Sequence, residues 1–215
     1  MAPRPRAEAK SAFTLVEVLV VIAIIGVVIA LVMPGVAMVR AESKSTFCLT
    51  NLRQLYAALD VSRQQRKDTF PYASPLPVPA GQTAVVPSLP ERLKAIMPME
   101  SDTWKCPADE SLDTEELGSS YVYIAGAFMS ASLMLEPVIF ETPGQTISPQ
   151  ADAERVARLI TQRYTNGYLR FVPLMADSGD YHANGNRHPR NAVFIDGNAR
   201  VVRPSDSDVN FGQPG

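Results

Sequence analysis

Glu17 is the single charged side chain between Phe13 and Met33, a run made almost wholly of Val, Leu, Ile and Ala. An ionisable group in such a stretch costs a few kcal/mol in lipid and by default marks a functional position. The plainer alternative is a carboxylate near a helix end that reaches the headgroups or takes up a proton. Two cysteines follow, Cys48 and Cys106, able to form either a bridge or two buried thiols. A third group of polar residues lies in the loop from Asp177 to His188. There Asp177, Asp180, Asn184 and Asn186 offer the oxygen ligands that Ca²⁺ takes, although their spacing is not that of an EF-hand. A solvated loop with Asx turns explains the same residues. His182 and His188 lack a third soft partner for a transition metal. Cys and His are nowhere grouped at zinc-motif spacing. Ser178, Asp180 and His182 sit too close together on one loop to imply a triad, which is a matter of spatial geometry. No Gly-rich phosphate loop is present. Tyr121 and Tyr123, two apart, fit one face of a strand better than a binding platform.

The elements that must position these groups begin with the apolar run. From Phe13 to Met33 it has the length, about 20 residues, that a helix needs to cross a bilayer. Ahead of it, Arg4, Arg6 and Lys10 outnumber Glu8, so the leader is expected inside and the rest outside. A secretory signal would place its small-residue cleavage site after the apolar core. Here the small pair, Ser11-Ala12, comes before it, so cleavage there would leave the span as the new N-terminus.

The segment Lys10-Ser-Ala-Phe-Thr-Leu-Val-Glu-Val-Leu-Val-Val-Ile-Ala-Ile-Ile-Gly26 resembles the N-terminal cleavage and methylation segment of type IV prepilins and type II secretion pseudopilins. The resemblance implies a cut between Ala12 and Phe13 by a prepilin peptidase, followed by N-methylation of Phe13. It implies that Glu17, fifth in a chain starting at Phe13, pairs with the Phe13 ammonium of its own or a neighbouring subunit during assembly. Gly26 and Pro34 match places where the family's long helix is often interrupted. The chain departs from the family at Ala12, where glycine is usual. The family often carries a Cys before an Asn-Leu-Arg-Gln-Leu helix and another in a Trp-Lys-Cys-Pro-Ala-Asp turn. Both contexts occur here, which favours a Cys48–Cys106 bridge, and both residues would lie beyond the membrane, where disulfides persist.

Beyond the span, Val36 to Lys67 contains neither Gly nor Pro. Cys48, Leu52, Leu55 and Leu59 recur at spacings of three and four, an amphipathic helix with one stripe to bury. The spacing predicts one helix from Phe13 to about Lys67, kinked at Pro34. A Pro-rich connection runs from Thr69 to Pro87. Ser88-Leu-Pro-Glu91 then opens a short helix by a capping-box pattern, reaching about Ile96. Met97 to Leu117 reads as loop and Ser120 to Ile124 as strand. Ala127 to Leu135 fits helix or strand. Val138 to Glu141 reads as a short strand, and Ser148-Pro149 opens a helix through Tyr164 with Val156, Leu159 and Ile160 inward. Leu169 to Met175 is expected to be an edge strand because of Pro173. Asn191 to Val202 is expected to be a hairpin about Asp196-Gly197. A second tract, Met175-Ala-Asp, His188 and Asn191-Ala-Val-Phe-Ile-Asp-Gly197, resembles a C-terminal motif of pseudopilin-like proteins, with Asn198 where their last His stands. Some pseudopilins hold calcium in a C-terminal loop, which bears on the 177–188 ligand set.

With 215 residues and a net charge of −2, the chain suits one span and one domain and shows no basic footprint for nucleic acid. The expected fold is α+β and pilin-like, a long N-terminal transmembrane helix packed on a small antiparallel sheet. Its parts are a cytoplasmic leader (1–12), the long helix (13–67, with 13–33 transmembrane), a globular head (68–204) and a loose tail (205–215). The expected role is structural and not enzymatic: a peptidase-processed subunit of a type II secretion pseudopilus or related type IV filament. Its partners would be the prepilin peptidase, like subunits and an inner-membrane assembly platform, with the head in the periplasm. The competing reading is a single-span anchored domain that binds a ligand or catalyses and never assembles. A minor pilin for DNA uptake would need an exposed basic patch.

Overall fold

The computed structural model describes residues 14–77, 86–111, 118–135, 149–182 and 189–202. The expected leader, the Val138–Glu141 strand, Ser148, the tail, and Asn184, Asn186 and His188 lie outside them. The chain divides into two compact units, residues 1–42 and 43–215.

Helix α1 (Leu15–Gln65) runs unbroken through Pro34, so the proline does not end it. Its second half buries one stripe: Cys48, Leu52, Leu55 and Leu59 are each 0% exposed. The helix stops where Lys67 and Asp68 both adopt positive φ, 54° and 56°. That left-handed step is unfavourable for side chains with a Cβ. It is held by Arg63, whose guanidinium meets Asp60 at 2.8 Å and Asp68 at 3.0 Å. Helix α2 (Leu89–Leu93) opens as its pattern predicts, with the Ser88 N–H and hydroxyl both donating to Glu91 Oε2. It ends at Leu93, short of Ile96.

Four strands form an antiparallel meander in chain order: β1 (Tyr121–Tyr123), β2 (Met175–Asp177), β3 (Arg190–Val193) and β4 (Ala199–Val202). Tyr121 pairs with Asp177, Met175 with Val193, and Arg190 with Val202. The β3–β4 turn is the expected one, with Gly197 at φ 77° and its N–H donating to the Phe194 carbonyl. No Cβ would fit at Gly197, because it would lie 2.8 Å from the Tyr56 ring. The same tyrosine donates its hydroxyl to the Ile195 carbonyl at 2.8 Å, and Arg53 donates to the Ala199 carbonyl at 3.1 Å. Two consecutive turns of α1 are thereby tied to the hairpin.

Two expectations change. Ala127–Leu135, which fits helix or strand by sequence, is helix, and Ile124, expected to end the strand, opens that helix, α3 (Ile124–Leu135). Leu169 to Leu174 is a run of turns, and the strand begins only at Met175. Gly167 takes φ 87°, Val172 N–H closes onto the Leu169 carbonyl, and Pro173 cannot donate to a ladder. Helix α4 (Pro149–Thr165) turns Val156, Ala157, Ile160 and Tyr164 inward, while Leu159 is half-buried. The main core joins these to the α1 stripe, Phe70, Trp104, Tyr123 and Leu174. A smaller cluster of Ala176, Ala192, Phe194 and Val202 lies apart from it. Helix and small antiparallel sheet together make the α+β, pilin-like architecture.

Candidate functional site

Two places concentrate groups able to do chemistry, one in each unit. At the start of α1, Thr14 is the N-cap. Its N–H and its hydroxyl each donate to Glu17 Oε2 at 2.8 Å, and the Glu17 N–H donates back to Thr14 Oγ1 at 3.2 Å. That is a reciprocal capping box, which satisfies donors that a helix start leaves orphaned. Past it, Leu15–Met33 forms the one candidate membrane span among the described residues, with mean hydropathy 3.2. Its Leu, Val, Ile and Met side chains are 48–79% exposed.

The second place is buried in the head. Cys48, on α1, and Cys106, in the turn after a 3₁₀ segment at Asp102–Trp104, are joined as a disulfide with their Cα atoms 5.1 Å apart. The closed loop spans a sequence separation of 58, which by loop entropy is worth about 4 kcal/mol. His182 packs directly on it, Nε2 lying 3.3 Å from Cys106 Sγ. Asn191, on β3, donates its side-chain amide to the same Nε2 at 2.8 Å, which places the ring's lone pair there. Asp177, at the end of β2, receives the Asn191 N–H on Oδ2 at 2.8 Å, and that oxygen is 3.5 Å from His182 Nε2. The Asp177 side chain is 0% exposed and that of His182 7%. Oδ1 of Asp177 has no hydrogen-bond partner among the described residues. Burial pushes the Asp177 carboxyl up to about 7, against the opposing pull of the Asn191 N–H and the Arg190 charge. Ser45 on α1 closes the group by donating to Asn191 Oδ1 at 3.3 Å.

Residues 9–33 match the family model described as the prokaryotic N-terminal methylation motif. Over that segment the chain is similar to prepilins. No curated protein and no solved structure matches it significantly. The matched segment covers the leader end, the capping box and the whole span. One apolar helix together with this motif fits a membrane-anchored protein.

The residues singled out by sequence are distributed unevenly. Ala12 and Phe13 lie outside the described residues. Glu17 sits at the helix start, engaged by Thr14. Of the calcium set, Asp177 is buried and engaged by Asn191, and Asp180 accepts from Arg190 at 2.9 Å. The fold supplies what the sequence withheld from His182. Its missing soft partners are Cys48 and Cys106, and the three ligand-type atoms lie within 4.8 Å of one another. Asn191 and Ser45 carried no signal of their own. The Thr14-x-x-Glu17 box was readable as a capping pattern and was overlooked beside the charge.

Proposed function

We propose that the protein is a filament subunit of the type II secretion pseudopilus or a related type IV assembly. The reading rests on the methylation motif over residues 9–33 coinciding with an apolar span that starts in the same segment. Prepilin peptidase cuts between Ala12 and Phe13 on the cytoplasmic face, and the new Phe13 amine is methylated. The span holds the subunit in the inner membrane with the head in the periplasm. An assembly platform then feeds it into a filament of like subunits, where the apolar span exchanges lipid for neighbouring helices.

Glu17 has two tasks in this scheme. In a single subunit it caps its own helix. In the filament its carboxylate receives the Phe13 ammonium of an adjoining subunit, and in a low-dielectric bundle such attraction is strong. Glu17→Val is expected to insert in the membrane and lose its leader but fail to assemble. The check is leader cleavage measured beside sheared filament or secreted cargo in the same cells. Normal assembly by Glu17→Val would remove that role and favour an anchored domain that never polymerises.

A further inference from the structure

We propose that Cys48, Cys106 and His182, with Asp177, form a zinc site in the chain whose disulfide has not yet closed. The two sulfurs and the imidazole come from distant parts of the sequence, yet their ligand atoms lie within 4.8 Å of one another. Two thiolates, one imidazole and one carboxylate make a donor set that Zn²⁺ takes tetrahedrally. Two of the spacings fit as well. With ordinary Zn–S, Zn–N and Zn–O bonds, the edges of such a tetrahedron are ~3.6 Å for S···N and ~3.4 Å for N···O. The structure has Cys106 Sγ at 3.3 Å and Asp177 Oδ2 at 3.5 Å from His182 Nε2. The sulfurs must move apart, to ~3.8 Å, once no bond joins them, and the Asp177 carboxylate, which lies outside the 4.8 Å group, must swing in.

An independent observation points to the same place. Asp177 is wholly buried beside the cluster, and while Oδ2 accepts from Asn191, Oδ1 has no hydrogen-bond partner among the described residues, a costly state for a buried carboxylate oxygen. The His182 lone pair is also aimed outward from the ring at the group, held there by the Asn191 amide. Zn²⁺ would displace that amide, which keeps Ser45 as a partner.

The chemistry balances without a further reagent on the way in. A newly made chain carries both thiols, and Zn²⁺ binding releases their two protons. Closure of the disulfide passes two electrons from the thiolates to a disulfide-bonded acceptor. The acceptor's sulfurs take up two protons, and Zn²⁺ is expelled. Either cross-link ties α1 to the Cys106 turn, so the head would hold its fold before and after oxidation, and the two thiols would be kept from pairing with other molecules meanwhile.

The test uses the full-length chain in detergent, reduced anaerobically with a phosphine until both thiols titrate, and Co²⁺ as the probe. Thiolate-to-cobalt charge transfer with intense tetrahedral d–d bands is expected at one equivalent, bleached by one equivalent of Zn²⁺. The disulfide form should give neither. His182→Ala and His182→Gln should each weaken Co²⁺ at least ~10-fold, as should Asp177→Asn. The buried Trp104, the single tryptophan, reports in each variant whether the head is folded. No bands in the reduced wild type, or an affinity unchanged in both folded His182 variants, would overturn the site.

Discussion

The two halves of α1 are built from similar apolar residues and meet opposite fates. Between Leu15 and Met33, Leu, Val and Ile point in every direction and stay 48–79% exposed. Between Cys48 and Leu59 the apolar residues recur at three and four, and Cys48, Leu52, Leu55 and Leu59 lose all contact with solvent. A helix apolar on all sides needs an apolar surrounding, whereas a single stripe needs only one packed face. The first half therefore needs an apolar surrounding. The second depends on its own head, which supplies the Cys106 bridge and the β3–β4 hairpin.

The contrast breaks most visibly by truncating one side chain in each half. Leu55→Ala should lower head stability by about 2–5 kcal/mol, the usual result of deleting a fully buried Leu side chain. Ile25→Ala, 51% exposed in the wild type, should leave head stability unchanged. Trp104 fluorescence during urea unfolding of the full chain in detergent reads both. Equal losses would mean that the span helps to stabilise the head.

A second perturbation asks whether the buried cluster behaves as the head's polar counterpart to Glu17. The Asp177 carboxyl titrates near 7 when folded and near 3.8 when exposed. Between those values the native state holds a proton that the unfolded chain has lost, so stability falls as pH rises from about 4 to 7. The fall is on the order of 4 kcal/mol and is complete above the folded value. Asp177→Asn should flatten the curve over that window relative to wild type. The two unfolding free energies, measured from pH 4 to 8, decide it, and parallel curves would show that Asp177 is ionised when folded. The smallest effect concerns the tie between α1 and the hairpin. Tyr56→Phe leaves the Ile195 carbonyl without its donor and should cost about 1 kcal/mol in the same urea assay.

What could be read from the sequence follows from where physical signals are local. The α1 stripe, the Ser88 capping box and the Asp196-Gly197 turn each carry their instruction within a few residues. The structure has all three. Ile124–Leu135 is apolar almost throughout, so no periodicity told helix from strand until Ile124 and Ala125 were seen to donate to the Leu174 carbonyl. β2 is three residues long, and the tract Leu169 to Val172 before it mimicked a strand although its backbone bonds close locally. The disulfide was legible only through its flanking contexts. The cluster about it was not, because Cys48, Cys106, Asp177, His182 and Asn191 become neighbours only when β2 and β3 pair beside α1.

The most direct measurement of the central claim is the mass of the N-terminal peptide from protein extracted from membranes of cells that contain a prepilin peptidase. A chain beginning at Phe13 and heavier by one methyl group is the predicted result, because the motif spans residues 9–33 and the cut precedes the span. An intact peptide beginning at Met1 would contradict it, and the molecule would then be an anchored head whose exposed helix meets only lipid.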